Sequence, residues 1–183
     1  MKVIGILGSA RDNGNTDLLM QEMMKEPASS GAKTQIFNLA KMNIGCCLGC
    51  ESCKKTGSCV RRDDMIGLYE EMKTADAIVI GTPIYMGEMS GQLKIFFDRC
   101  YALKDADRRS LLPAGKKLGI VITQGADIPG HYAKTPERIE YIFKGHGCVP
   151  VGTVTGMSLH EKDDVLKDKD ILEKARAIGK MLV

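Results

Sequence analysis

The sequence predicts an α/β fold in which five parallel strands form one doubly wound sheet. Short apolar runs alternate with stretches of helical periodicity from one end of the chain to the other. Strands that alternate with helices pair in parallel through right-handed crossovers. The 183 residues suit a single domain over 1–183, because a chain of this length buries most of its apolar surface in one core.

Each element has its own signal along the chain. The apolar runs that predict strands are 2–8, 33–39, 76–81, 117–123 and 148–154. The first helix is expected to be capped by Asn15 or Thr16 and to end near Lys25. Helical periodicity predicts the others after Asp63 and Asp64 as far as Lys73, and over 90–102, 134–145 and 168–182. Because ligands of such sheets bind where the strands end, the loops 9–16, 82–89 and 124–131 are the predicted binding site.

Composition excludes several classes of protein. The 26 basic and 23 acidic side chains are interspersed, so no basic stripe indicates a nucleic-acid partner. No apolar run reaches the roughly 18 residues that a membrane helix needs. The first residues turn from an apolar strand directly into a polar loop and lack the signal-peptide pattern, so we expect a cytoplasmic protein.

The first loop carries the residue types that bind a phosphate group. It offers the hydroxyls of Ser9 and Thr16, the amide of Asn15 and the guanidinium of Arg11 just before a helix. The first turn of a helix has free N–H groups and a dipole that favours an anion. The loop matches neither the Walker A pattern nor the three-glycine dinucleotide pattern. A monophosphate therefore suits it, although helix capping would require the same residue types.

The second loop follows the third strand and is suited to contact a ring. Pro83 stiffens it, and Gly87 permits tight geometry. Tyr85 and Met86 offer flat or polarizable apolar surface. The backbone amides between Thr82 and Gly87 can reach polar edges of such a ring. Taken alone, the loop would also fit ordinary core or interface residues.

Two groups of residues carry a resemblance to a known family. They are Gly8-Ser9-x-Arg11-x-x-Gly14-Asn15-Thr16, and Thr82-Pro83-Ile84-Tyr85 with Ser90-Gly91-x-x-Lys94-x-x-x-Asp98-Arg99. Over essentially its whole length, the chain resembles the NADPH-dependent FMN reductase family. The resemblance implies a flavodoxin-like fold of strand order 2-1-3-4-5, with FMN as the cofactor and NAD(P)H as a reductant.

The same resemblance assigns roles to the loops. It implies that the FMN phosphate is held by Ser9, Arg11, Asn15 and Thr16. It implies that the segment from Thr82 through Pro83, Ile84, Tyr85 and Met86 to Gly87 lines the isoalloxazine ring. Gln124 and Gly125, at the end of the fourth strand, would close the third side. No catalytic acid or base is expected, because flavin accepts hydride or electrons directly.

Five of the seven cysteines lie in one loop after the second strand. The spacing is Cys47-x2-Cys50-x2-Cys53-x5-Cys59, with Cys46 adjacent. Four closely spaced thiolates are suited to an iron–sulfur cluster. Zinc, a redox disulfide and an empty loop remain alternatives, because spacing alone does not separate them.

The cysteine motif resembles that of the iron–sulfur flavoprotein branch of this superfamily. The branch implies a [4Fe–4S] cluster on Cys47, Cys50, Cys53 and Cys59, which passes single electrons to the flavin. The predicted function is an electron relay between a one-electron donor such as ferredoxin, or NAD(P)H, and a small acceptor. The alternatives are an NAD(P)H-dependent FMN or quinone reductase without a cluster, a flavodoxin-type carrier, and a zinc-stapled binding module. The resemblance also implies a homodimer or homotetramer.

Overall fold

One parallel sheet organises the structure, a computed structural model that describes residues 1–183. Its parallel strands are β1 (Lys2–Leu7), β2 (Lys33–Asn38), β3 (Ala77–Tyr85), β5 (Lys117–Thr123) and β6 (Val149–Gly156). They lie in the order β2-β1-β3-β5-β6. The predicted order is confirmed, because it is 2-1-3-4-5 when the five parallel strands are numbered alone.

Helices cover both faces of this sheet. They are α1 (Asn15–Ser29), α2 (Ser52–Thr56), α3 (Met65–Thr74), α4 (Gly91–Arg99), α5 (Lys134–Lys144) and α6 (Lys169–Met181). Alternate residues of the buried strands face opposite sides, so there are two apolar cores. The larger core packs against α3, α4 and α5, and the other against α1 and α6. No helix combines the length and the apolar character needed to cross a membrane.

A short hairpin adds a sixth strand that the sequence does not predict. β3 continues through Tyr85, and the chain turns back as β4 (Glu88–Met89), which pairs antiparallel with β3. Met86 and Gly87, between the two strands, have φ values of 49° and 85°. Two successive positive φ values are typical of a tight two-residue hairpin turn. The turn uses Met-Gly where Asn-Gly is the usual signature, which is why the sequence indicates only a loop.

Helix α1 extends past its predicted end near Lys25 because it accommodates a proline. Pro27 lies inside the helix and has no N–H to donate to the carbonyl of Met23. Gly179 of α6 lies against that carbonyl, where a Cβ atom would overlap its oxygen. The two helices can therefore approach closely at this point.

Helix α4 begins at a buried hydroxyl that joins three elements. The Ser90 hydroxyl donates to the carbonyl of Gly8 at 2.6 Å and accepts from the Leu93 N–H at 3.3 Å. Gly8 in turn donates its N–H to the carbonyl of Gly81 at 2.8 Å. The first turn of α4 is therefore fixed to the carboxyl ends of β1 and β3.

Candidate functional site

The loops after β1, β3 and β5 meet at one cleft, which we call the three-loop cleft. Its lining residues are Ser9, Arg11, Asn15, Thr16, Pro83, Ile84, Tyr85, Thr123, Gln124, Gly125 and Leu159. Residues of all three predicted loops therefore lie in one cavity at the carboxyl edge of the sheet, as expected for a doubly wound fold.

The first turn of α1 forms the polar end of the three-loop cleft. The N-cap is Gly14, which has extended backbone and no side chain to cap the helix. The first N–H groups of the helix therefore have no capping acceptor, which leaves them available to an anion. Ser9 accepts from the Arg11 N–H at 3.2 Å, so its hydroxyl proton remains free to donate. The Arg11 guanidinium is exposed and makes no ion pair.

Asn15 and Thr16 have other bonds for their side chains. The Asn15 amide donates to the carbonyl of Glu161 at 2.6 Å and accepts from the Val165 N–H at 3.0 Å. The buried Thr16 hydroxyl is hydrogen bonded to that of Thr123 at 2.6 Å. Their backbone N–H groups, in the first turn of α1, can also serve an anion, beside any donor that these side chains retain.

Three of the predicted ring-contacting residues line the three-loop cleft, and three do not. Pro83, Ile84 and Tyr85 lie in its wall. Thr82 is buried, and its hydroxyl accepts from the Ser90 N–H at 3.1 Å. Met86 and Gly87 lie at the tip of the β3–β4 hairpin, where the Met86 side chain is fully exposed. Neither residue is among those that line the cleft.

The third wall comes from the loops after β5 and β6. Gln124 donates its backbone N–H to Gly156 at 2.9 Å, and its side chain donates to Ala126 at 3.1 Å. A Cβ atom at Gly125 would lie 3.4 Å from the His160 ring, in ordinary van der Waals contact. Leu159 also lines the cleft and is not predicted. Its position just after β6 is the signal that could have found it, because the carboxyl-end rule applies to that strand too.

The cysteine-rich segment lines a second, smaller cavity, which we call the cysteine cavity. Its lining residues are Cys47, Leu48, Gly49, Cys50, Glu51, Cys53, Cys59, Val60, Arg61, Asp98, Arg99, Tyr101 and Ala102. All four predicted ligands are among them, and the exposed Cys46 is not. No three His, Cys, Asp or Glu side chains lie close enough together to hold a single metal ion.

Local contacts hold the cysteine segment against the fold. Helix α2 lies within it, and the Lys54 ammonium on that helix donates to the carbonyls of Tyr101 and Lys104, each at 2.5 Å. Cys53 and Cys59 pack against the larger core. The backbone N–H of Ser52, followed by its hydroxyl, holds the pKa of the Cys50 thiol below its usual value. Hydrogen bonding of this kind favours the thiolate, which is the form that binds metals.

A buried ion pair forms the inner wall of the cysteine cavity. Arg99 is 1% exposed and binds Asp63 through both Nη atoms, at 2.6 and 3.0 Å. The hydrogen bond from Arg99 holds the pKa of Asp63 below its usual value against the effect of burial. Arg61 lies nearby with its guanidinium over Gly45. Sequence spacing gives no role to Asp63 or Arg61 here, because their positions depend on tertiary packing.

The two other cysteines and the methionines of α1 have packing roles. Cys100 and Cys148 are buried, as expected for small apolar side chains. Burial raises the pKa of Cys148 to about 11 and raises that of Cys100 further. Met20, Met23 and Met24 are buried in the smaller core. These residues therefore provide no redox or ligand chemistry.

Comparisons with known proteins agree with this arrangement. Residues 1–160 match the family described as NADPH-dependent FMN reductase. An iron-sulfur flavoprotein of Methanocaldococcus jannaschii is 35% identical over 98% of this chain and 94% of its own length. An iron-sulfur flavoprotein of Archaeoglobus fulgidus is 34% identical over 98% of this chain and 77% of its own length.

Solved structures show the same fold. An NAD(P)H:quinone oxidoreductase from Methanothermobacter marburgensis superposes with a TM-score of 0.77 at 19% identity, covering 100% of this chain and 99% of its own. A flavodoxin from the domain Archaea gives a TM-score of 0.62 at 16% identity, covering 100% of this chain and 96% of its own. At these identities the comparison shows the fold alone, and the predicted flavodoxin-like class is confirmed.

Proposed function

The chain belongs to the NADPH-dependent FMN reductase family and is a flavin-dependent oxidoreductase, and within that class we propose that it is an iron–sulfur flavoprotein. It relays electrons between a one-electron donor such as ferredoxin, or NAD(P)H, and a small acceptor. The observation that carries this proposal is the cysteine cavity, because the four spaced cysteines all line it and the fifth does not. The printed names of the iron-sulfur relatives support it.

The three-loop cleft fits FMN. The first N–H groups of α1, the Ser9 hydroxyl and the Arg11 guanidinium would hold the phosphate dianion. Pro83, Ile84 and Tyr85 would contact the isoalloxazine ring, with Gln124 and Gly125 on the third side. FMN supplies the redox chemistry when bound, and the chain supplies orientation and charge.

The cysteine cavity fits a [4Fe–4S] cluster on Cys47, Cys50, Cys53 and Cys59. The donor set supplies four thiolates, the usual complement for such a cluster. Cys46 lies outside the cavity, which favours Cys47 over its neighbour as a ligand. The bound cluster would supply single electrons. The seven free cysteines suit a reducing compartment, so we keep the cytoplasm as the proposed location.

One observation favours a second candidate, an NAD(P)H-dependent FMN or quinone reductase without a cluster. No three potential ligands are close enough to hold a single metal ion in the cysteine segment. The family description itself names NADPH and FMN but no cluster. We expect either enzyme to be a homodimer or homotetramer, which sedimentation of the flavin-loaded protein would test.

Iron and sulfide analysis of anaerobically purified protein separates the two candidates. The proposal expects about four irons and four sulfides per chain. Cys59→Ser should lose most of this iron, whereas Cys46→Ser should keep it and serves as the matched control. Wild-type protein without iron and sulfide would exclude the cluster and leave the cluster-free candidates. Bleaching of the flavin by NADPH or by reduced ferredoxin would identify the electron donor.

The FMN site is tested at Arg11, because this exposed side chain makes no ion pair that its replacement would break. Arg11→Gln should weaken FMN binding by roughly tenfold or more, since a charge-assisted bond contributes about 1.5–3 kcal/mol. Binding of riboflavin, which has no phosphate, should not change. Arg62→Gln removes an exposed arginine elsewhere and is the control. Equal losses for FMN and riboflavin would contradict the phosphate assignment.

A further inference from the structure

Two arginines present unused hydrogen-bond donors beside the cysteine cavity. Arg61 and Arg99 both line it, and the Nε atom of each is buried without any partner. Buried polar groups are almost always hydrogen bonded, so two orphaned donors in one wall require an explanation. Both donors belong to groups that keep their positive charge.

Arg99 is held in place by its other atoms. Its Nη atoms bind the Asp63 carboxylate, and Nη1 also donates to the carbonyl of Gly45 at 2.8 Å. At 1% exposure, the side chain has no water to turn towards. Nε is therefore the one nitrogen of this guanidinium that has no acceptor within the chain.

Arg61 lacks any hydrogen bond or ion pair within the chain. Its guanidinium packs over Gly45 so closely that a Cβ atom there would overlap Nη1. Two of the nearby acidic groups are already paired, whereas Glu51, which also lines the cavity, makes no ion pair. Both Asp63 oxygens accept from Arg99, and Asp98 is paired with Lys94 at 2.6 Å. The cavity wall therefore has hydrogen-bond donors in excess of what the chain satisfies, and the charge of Arg61 is not paired within the chain.

We propose that Arg61 and Arg99 stabilise the cluster by donating hydrogen bonds from Nε to its sulfur atoms and by offsetting its negative charge. The inference rests on the cluster assignment of the proposed function. A cluster held by four thiolates is an anion, and its reduction adds one electron from the donor without breaking a bond. Because positive charge and hydrogen bonds favour the more negative state, the two arginines raise the reduction potential.

Arg61→Gln is the decisive variant, because no ion pair is broken. The anaerobic holoprotein is titrated potentiometrically, and the reduced cluster is monitored by electron paramagnetic resonance. The midpoint reduction potential of the cluster should be lower in the variant than in the wild type. At a fixed solution potential we expect the ratio of reduced to oxidised cluster to fall at least tenfold, which corresponds to about 59 mV. Arg62→Gln, an equal change at an exposed position, should leave the midpoint unchanged.

Lysine variants separate charge from packing. Arg61→Lys should recover part of the lost potential, because it restores the charge but lacks the Nε donor. Arg99→Lys keeps a cation beside Asp63, so the fold survives, and its midpoint should also fall. Thermal unfolding of each apoprotein checks the fold without iron.

The outcomes distinguish this inference from the cluster assignment itself. If Arg61→Gln loses iron while its apoprotein is as stable as the wild-type apoprotein, the inference is supported. Binding of the cluster would then depend on the positive charge of Arg61. Wild-type iron content and midpoints in both Arg61→Gln and Arg99→Lys would overturn the inference and leave the cluster in place. A wild-type protein without iron and sulfide would overturn both.

Discussion

Replacement of Asn15 tests whether the structure or the sequence pattern assigns its side chain correctly. The sequence makes Asn15 a ligand of the phosphate. In the structure its amide instead joins the first turn of α1 to the segment after β6, with bonds to Glu161 at 2.6 Å and Val165 at 3.0 Å. Val165 is buried in the smaller core, so this connection is part of the folded core.

The expected cost follows from the two bonds. Each intramolecular hydrogen bond contributes about 1 kcal/mol net, so Asn15→Ala should lower the free energy of unfolding by about 2 kcal/mol. If the loosened segment weakens flavin binding, Leu159 transmits the effect, because it belongs to the same segment and lines the three-loop cleft. The loss of affinity should then be the same for FMN and for riboflavin, because the segment does not distinguish them by their phosphate.

Two measurements on the apoprotein check this reasoning. Urea unfolding gives the free energy, and quenching of flavin fluorescence gives the affinities for FMN and riboflavin. Asn43→Ala is the control, because its exposed side chain makes no hydrogen bond, and it should change stability by less than about 0.5 kcal/mol. If Asn15→Ala were as stable as the wild type and lost affinity for FMN alone, the reasoning would be refuted. The Asn15 side chain would then be assigned as a ligand of the phosphate.

Three further predictions concern stability and are measured by chemical denaturation. Gly179→Ala should destabilise the protein by about 1–3 kcal/mol, because the added methyl group would meet a backbone carbonyl of α1. Gly67→Ala in α3 is the control, since its methyl group would enter open space and should be neutral or stabilising. Equal effects of the two substitutions would contradict the close contact between α1 and α6. Burial, with two neighbouring lysines, lowers the pKa of His146 from 6.5 to about 4. Since the unfolded chain binds the proton first, stability should fall by up to about 2 kcal/mol from pH 7 to pH 5, and His146→Asn should flatten this dependence. Asp63→Asn should cost about 3–5 kcal/mol because it leaves the buried guanidinium of α4 without its counter-charge; a loss below about 1 kcal/mol would show that the pair is solvated.

The sequence predicts the sheet and the position of the three-loop cleft because both depend on local patterns. Apolar runs such as that of β1 exclude solvent on both faces, and parallel strands must end at a common edge. That the loops after β1, β3 and β5 meet can therefore be predicted without knowledge of side-chain packing. The end of β6 lies at the same edge, and Leu159 just after it also lines the cleft.

Side-chain partners were less predictable, because they are fixed by residues distant along the chain. The amide of Asn15 bonds 146 residues away, and Arg99 pairs with Asp63 across 36 residues. No periodicity or spacing reports such contacts. The β3–β4 hairpin was missed for a local reason, since Met86 adopts a positive φ for which its residue type gives no signal.

A single helix connects the surroundings of the two cavities. Helix α4 starts at the hydroxyl that fixes it to the flavin-side loops and ends at Arg99 in the cysteine cavity. Its nine residues extend over about 13 Å at 1.5 Å each. Inserting one residue would lengthen this path only slightly, but it would swing the terminal guanidinium by about 100° away from its carboxylate. A change in the length of this helix therefore preserves the ion pair only when it amounts to about a whole helical turn.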